Sequence, residues 1–205
     1  MPEKDHFFIT GIGTGIGKTI VSAILVEKLK ADYWKPIQSG DLDNSDSLYV
    51  KSLISNKQSK IHSEAYRLNQ PFSPHKSAAI DGIMIDPEHI APPKTNNALI
   101  IEGAGGLMVP LNKQFLMIDL IKKLNVPVIL VSQYYLGSIN HTILSINALK
   151  QHEIPIKGII FNGIEDVSSK EFILDYTGVG LLGHIPQYNK IDKKAIMDAG
   201  NFIRL

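Results

Sequence analysis

Apolar positions along the chain fall into two alternating kinds of run. Short stretches rich in β-branched residues, His6 to Thr10, Tyr33 to Pro36, Ala98 to Glu102, Val126 to Ser132, Ile156 to Asn162 and Gly180 to Ile185, are nearly continuous in apolar character. That is the pattern of parallel strands covered on both faces. Between them, at about Lys18 to Ala31, Ser45 to Ile54, Ile118 to Leu124, Ser138 to His152 and Ser168 to Tyr176, apolar residues recur at spacings of three and four, the period of a helix. Strand and helix in alternation imply right-handed βαβ crossovers. The expected fold class is α/β: a doubly wound, mostly parallel sheet with helices on both faces. Ligands of such sheets lie beyond the carboxyl ends of the strands.

One stretch breaks the rhythm. From Asn56 to Asn97 the chain carries Pro71, Pro74, Pro87, Pro92 and Pro93, residues that punctuate helices rather than extend them. It reads as an elaborated insertion, not a linker. No repeat or low-complexity segment divides the 205 residues, so one domain spanning 1–205 is expected.

Composition narrows the functional classes. Hydrophobic residues at 44% and charged ones at 20% are ordinary for a globular chain. Lysine plus arginine total 21 against 20 acids, which leaves no strong positive field, so neither nucleic acid nor a membrane is expected as a partner. The absence of cysteine excludes disulfides, thiolate metal sites and a thiol nucleophile, and fits a reducing compartment. The beginning MPEKDHFFIT lacks the apolar segment of a signal peptide, and runs such as Val126 to Val131 are too short to span a bilayer. A cytoplasmic location is expected.

The strongest chemical signal is FFITGIGTGIGKT, a strand running into a glycine-rich loop that ends in Gly17, Lys18 and Thr19 and opens a helix. Backbone N–H groups of such a loop turn inward around phosphate oxygens, the helix start adds positive dipole, lysine adds charge, and the hydroxyl of Thr19 can ligate magnesium. The strict pattern asks for glycine where Ile12 stands; here the glycine is one residue earlier, at Gly11. The alternative is a glycine-rich turn with no ligand. Lys35, in WKPIQSGD, emerges at the carboxyl end of the second strand, on the side of the phosphate loop; otherwise it is a solvated surface lysine. Glu102 ends an apolar strand in LIIEGAGGLMVPL. It is either an acidic partner for magnesium or a helix cap. Asp46 in DNSDSL and Asn162 in IIFNG are weaker candidates, readable as a cap and a turn former. Histidines 62, 75, 89 and 141 show no metal-ligand spacing.

Taken together and in order, TGIGTGIGKT, KPIQSG, NSD, SPH, EGAGGLMVPL, LGSINHT and GIIFNG resemble the dethiobiotin synthetases, a family of the P-loop NTPase type, over about residues 7–188. The resemblance implies a homodimeric ligase of biotin biosynthesis that converts 7,8-diaminononanoate, carbon dioxide and ATP, with Mg2+, into dethiobiotin, ADP and phosphate. It implies ATP contacts from Gly15, Ile16, Gly17, Lys18, Thr19 and Ile20, from Gly103, Ala104 and Gly105, and, around the base, from Asn162, Gly163, Pro186, Gln187 and Tyr188. Thr19, Asp46 and Glu102 are implied as metal ligands, and Lys18 and Lys35 as catalytic cations at the transferring phosphoryl group. Thr14 and Ser39 match positions near the diamine, and Gly137, Ser138, Ile139 and Asn140 the segment that receives the substrate carboxylate across the dimer interface. The chain departs from the family where Ile12 and Gly13 replace the usual Thr-Asp, in SPHKSA, and at Gln187. Three rivals stand beside this reading. A nucleotide-switched partitioning or targeting ATPase usually has an extra lysine where Gly13 stands. A corrinoid-type ligase usually needs a further glutaminase domain. The third is a catalytically silent nucleotide-binding module.

Overall fold

The computed structural model describes residues 6–205. Seven strands, β1 (His6–Gly11), β2 (Asp32–Trp34), β4 (Ile61–His62), β6 (Leu99–Glu102), β7 (Val128–Gln133), β8 (Ile156–Asn162) and β9 (Leu181–Ile185), form one sheet in the order β4-β2-β6-β1-β7-β8-β9. Every pairing in it is parallel. Two further strands, β3 (Ile37–Ser39) and β5 (Tyr66–Leu68), pair with each other, also in parallel. The β9 edge is covered by the chain's last residues: Ile203 makes an antiparallel bridge with Gly183, and the Arg204 N–H donates to the Leu182 carbonyl at 2.7 Å.

Helices lie on both faces. On one side pack α1 (Lys18–Leu29), α2 (Asp46–Leu53) and α7 (Lys193–Ala199); on the other α4 (Met117–Leu124), α5 (Ser138–Gln151) and α6 (Val167–Thr177). The short α3 (Pro74–Ile80) sits against β3 and β5. The apolar strand runs explain this layering, since Ile9, Ile100, Ile129 and Ile160 point to the α1 face while Phe8, Leu99, Ile101 and Val128 point to the other. No helix among the described residues is long and apolar enough to cross a membrane.

One expectation needs correction and two are filled out. The second strand does not run to Pro36. It stops at Trp34, and Ile37–Ser39 belongs to the small sheet. Proline has no N–H to give a ladder, and its carbonyl instead accepts from the Ala65 and Tyr66 N–H groups. The stretch 56–97 is an insertion with elements of its own: it holds β4, β5 and α3, and Pro74 occupies the first turn of α3, where its missing N–H costs nothing. The helix α1 buries more than one stripe. Val21 to Val26 are all buried, because the helix is wedged between the sheet, α2 and α7.

Candidate active site

The loop after β1 enters α1 through Gly17, which sits at φ 93° and caps the helix without any side-chain acceptor. A Cβ there would come within 2.1 Å of Asn162 Nδ2, so both the left-handed backbone and the close approach call for glycine. The first N–H groups of α1 thus face outward uncapped, the arrangement that receives an anion. Lys18 folds back over the loop and donates to the Gly13 carbonyl at 2.7 Å. Burial, with the nearby charge of Lys35, lowers its pKa to about 8, against the opposing pull of Glu102 and Asp46.

Register brings the remaining charges together. Trp34 pairs with Ile101 and Ile9 with Glu102, so Lys35, the next residue after β2, emerges beside Glu102 and above the loop. Its Nζ lies 2.8 Å from Asp46 Oδ2 and 3.2 Å from Glu102 Oε1. Lys35 is buried, which disfavours its charged form, yet Glu102 and Asp46 together raise its pKa above the ordinary lysine value. The same ion pair holds the Asp46 carboxyl below its ordinary range despite burial. Asp46 is delivered by the first turn of α2, whose N-terminus is capped by the Ser45 hydroxyl accepting from the Leu48 N–H.

A metal is tested by the oxygen arrangement. Thr19 Oγ1 lies 2.9 Å from Asp46 Oδ1 and 2.9 Å from Glu102 Oε1. One hydroxyl carries one proton, so it can fully satisfy only one of two carboxylate oxygens. Three hard oxygen donors converging at a phosphate loop fit a cation such as Mg2+, which keeps several waters and needs few protein ligands.

These groups line a cleft of about 660 Å³ together with Thr14, Gly15, Gly17, Ile20, Ser39, Ala104 and Gly105. Ser39 Oγ is buried there without a hydrogen-bond partner. A second cleft of about 360 Å³ is lined by Asn162, Gly163, Pro186, Gln187 and Tyr188, and Ile20 forms part of both walls. Asn162 spends one amide N–H on the Ile16 carbonyl at 3.0 Å, tying the end of β8 to the phosphate loop. Ile16 itself is buried, and Gly103, tight against the Phe8 ring, lines neither cleft. Gly137, Ser138, Ile139 and Asn140 form the start of α5, again without a side-chain cap, and are not brought to either cleft of the single chain.

The family model described as an AAA domain matches residues 5–195. The ATP-dependent dethiobiotin synthetase of Christiangramia forsetii is 53% identical over 97% of this chain and 94% of its own length. Those of Cytophaga hutchinsonii and Agrobacterium fabrum are 49% and 43% identical, over 93% and 95% of this chain and 92% of each relative. The chain belongs to the dethiobiotin synthetase family. Among solved structures, a ParA family ATPase from Chlorobium tepidum (15% identity, TM-score 0.60, 98% of this chain and 100% of that one) shares the fold. So does the septum site-determining protein MinD of Pyrococcus horikoshii complexed with Mg-ADP (17%, 0.61, 96% and 86%).

Residues that sequence reasoning passed over complete the synthetase-family cleft. Gln38 Oε1 accepts from the Asp46 N–H at 3.3 Å while its amide donates to the Gly40 carbonyl, fixing the entry to α2. Tyr33, read only as a strand residue, donates to Glu102 Oε2 at 2.9 Å. Pro71, Phe72, Ser73 and Pro74 of the insertion form one wall; SPH, at residues 73–75, carried the only sequence signal for that wall. Gln133 and Tyr134 line the second cleft, with no signal beyond their place at the end of β7.

Proposed function

We propose that this chain is an ATP-dependent dethiobiotin synthase that closes a cyclic urea on 7,8-diaminononanoate, acting in the cytoplasm as a homodimer. The observation that carries the reading is the convergence of Lys35, Asp46, Glu102 and Thr19 at an uncapped phosphate loop. One amine, captured by carbon dioxide as a carbamate, attacks the γ-phosphorus of ATP and displaces ADP. The second amine then attacks the carbonyl of the mixed anhydride, expelling phosphate as the ring forms.

Positioning and charge dominate such a reaction. Lys35 sits where charge accumulates on the transferring group, and Lys18 moves from the Gly13 carbonyl to the phosphates. Thr19, Asp46 and Glu102 would hold Mg2+, which when bound neutralises phosphate charge. The unpartnered Ser39 hydroxyl, with Thr14, would meet the diamine. The second cleft would take the base, with Asn162 offering the remainder of its amide. The uncapped start of α5 would take the substrate carboxylate of the neighbouring subunit.

The test is to incubate purified protein with MgATP, bicarbonate and 7,8-diaminononanoate and to follow dethiobiotin by mass spectrometry alongside ADP. Diamine-dependent formation of both supports the reading. ADP release without dethiobiotin overturns it in favour of a switch ATPase.

A further inference from the structure

Glu102 presents its two oxygens to different surroundings. Oε1 faces the cleft, accepting from Thr19 Oγ1 at 2.9 Å and Lys35 Nζ at 3.2 Å. Oε2 points back into the core, where the Tyr33 hydroxyl donates to it at 2.9 Å. Tyr33 is fully buried among the apolar side chains of the α1 face. It pairs with Ile100, two residues before Glu102, and the period of two along a strand puts both side chains on one face. The ring packs as any aromatic would. The hydroxyl is what needs explaining, since phenylalanine fills the same space without burying a polar atom.

We propose that Tyr33 is a positioning residue for Glu102, pinning one carboxylate oxygen in the core so that the other alone is offered to the cation and the phosphate-bearing groups. An unpinned carboxylate turns about its last torsion, whose wells are broad, and can offer a cation either oxygen or both. With Oε2 occupied by the Tyr33 hydroxyl the carboxylate keeps its orientation and a single free edge. Partners of this kind around metal ligands typically change affinity about 10- to 100-fold when removed. This inference rests on the reading of the cleft as a MgATP site.

The test is Tyr33→Phe, with Mn2+ as a paramagnetic stand-in for Mg2+ and a non-hydrolysable ATP analogue present, read by electron paramagnetic resonance. The Mn2+ Kd should rise about tenfold, as should the Mg2+ concentration for half-maximal ADP release, while kcat at saturating Mg2+ falls by no more than about threefold. Trp34→Phe, which disturbs the same strand but whose Nε1 donates to the Ser63 carbonyl and not to Glu102, should leave the Mn2+ Kd within about twofold of wild type. An unchanged Kd in Tyr33→Phe, or an equal loss in Trp34→Phe, overturns the inference. A wild-type protein that binds no Mn2+ with nucleotide overturns the MgATP reading beneath it, and is recognised before any substitution is made.

Discussion

Lys35 is a cation held in place by its neighbours rather than by water. Replacing it with alanine removes the charge proposed to face the phosphoryl group and leaves Asp46 and the buried Glu102 opposed without their directly paired cation, with Lys18 farther off. Lys35→Ala should lower kcat by about 10²- to 10³-fold, the loss typical of one preorganised charge donor, measured by diamine-dependent ADP release. Gly17 makes a different demand. With φ at 93° and a Cβ position 2.1 Å from Asn162 Nδ2, Gly17→Ala should combine about 1 to 2 kcal/mol of backbone strain with displacement of the Asn162 amide. Calorimetry should then show ATP affinity reduced by at least about tenfold. Gly13, where an added Cβ meets nothing within 4 Å, is the contrast: Gly13→Ala should shift the Tm little.

At the scale of elements, the insertion is fastened from the end of the sheet opposite the clefts. Asp32, at the start of β2, accepts from the Lys60 N–H and the Asn97 amide on Oδ1, and from the Thr95 hydroxyl on Oδ2, where it also pairs with His62 Nε2. Burial alone would raise its pKa, but these bonds together lower it below the ordinary aspartate value. A depressed folded-state pKa stabilises the fold above the unfolded value, near 4, and that stabilisation is lost as pH falls through the folded value. Asp32→Asn, which turns an amide toward existing donors, should cost about 2 to 3 kcal/mol at pH 7. The gap from wild type in urea unfolding should narrow from about pH 5 downward.

The same network shows what was legible beforehand. Long apolar runs and helical periods were enough for six strands and five helices, because those elements bury whole faces. The strands β4 and β5 are too short to show a period, and α3 begins with the proline that looked like a breaker. In the cleft, Lys18, Thr19, Lys35, Asp46 and Glu102 were readable because each lies at or beside the end of an element at the carboxyl edge of the sheet. Tyr33 and Gln38 were not, since a buried hydroxyl and a buried amide in strands of three residues acquire meaning only through contacts that the folded chain reveals.

For the molecule as a whole, the start of α5 is a stretch of the proposed machinery that its own clefts leave out. Leu136 beside it is fully exposed, and Leu144 and Met108 are more than half exposed nearby. If a second copy covers this face, Leu136→Asp should weaken self-association in sedimentation experiments and raise the KM for the diamine more than that for ATP. Equal changes in both would count against a shared substrate site.

The two margins of the large sheet are unequal. At β4 the outer strand is two residues long, too short to template another chain. The β9 margin is five residues long and is masked by the terminal arm, whose Phe202 carbonyl would lie 2.3 Å from a Cβ at Gly183. That arm acts as a dummy neighbour, occupying the place where a foreign strand would add. A chain shortened before Gly200 would keep every side chain of the proposed site and still have a brief shelf life: light scattering should show it turning turbid on warming while the intact protein stays clear.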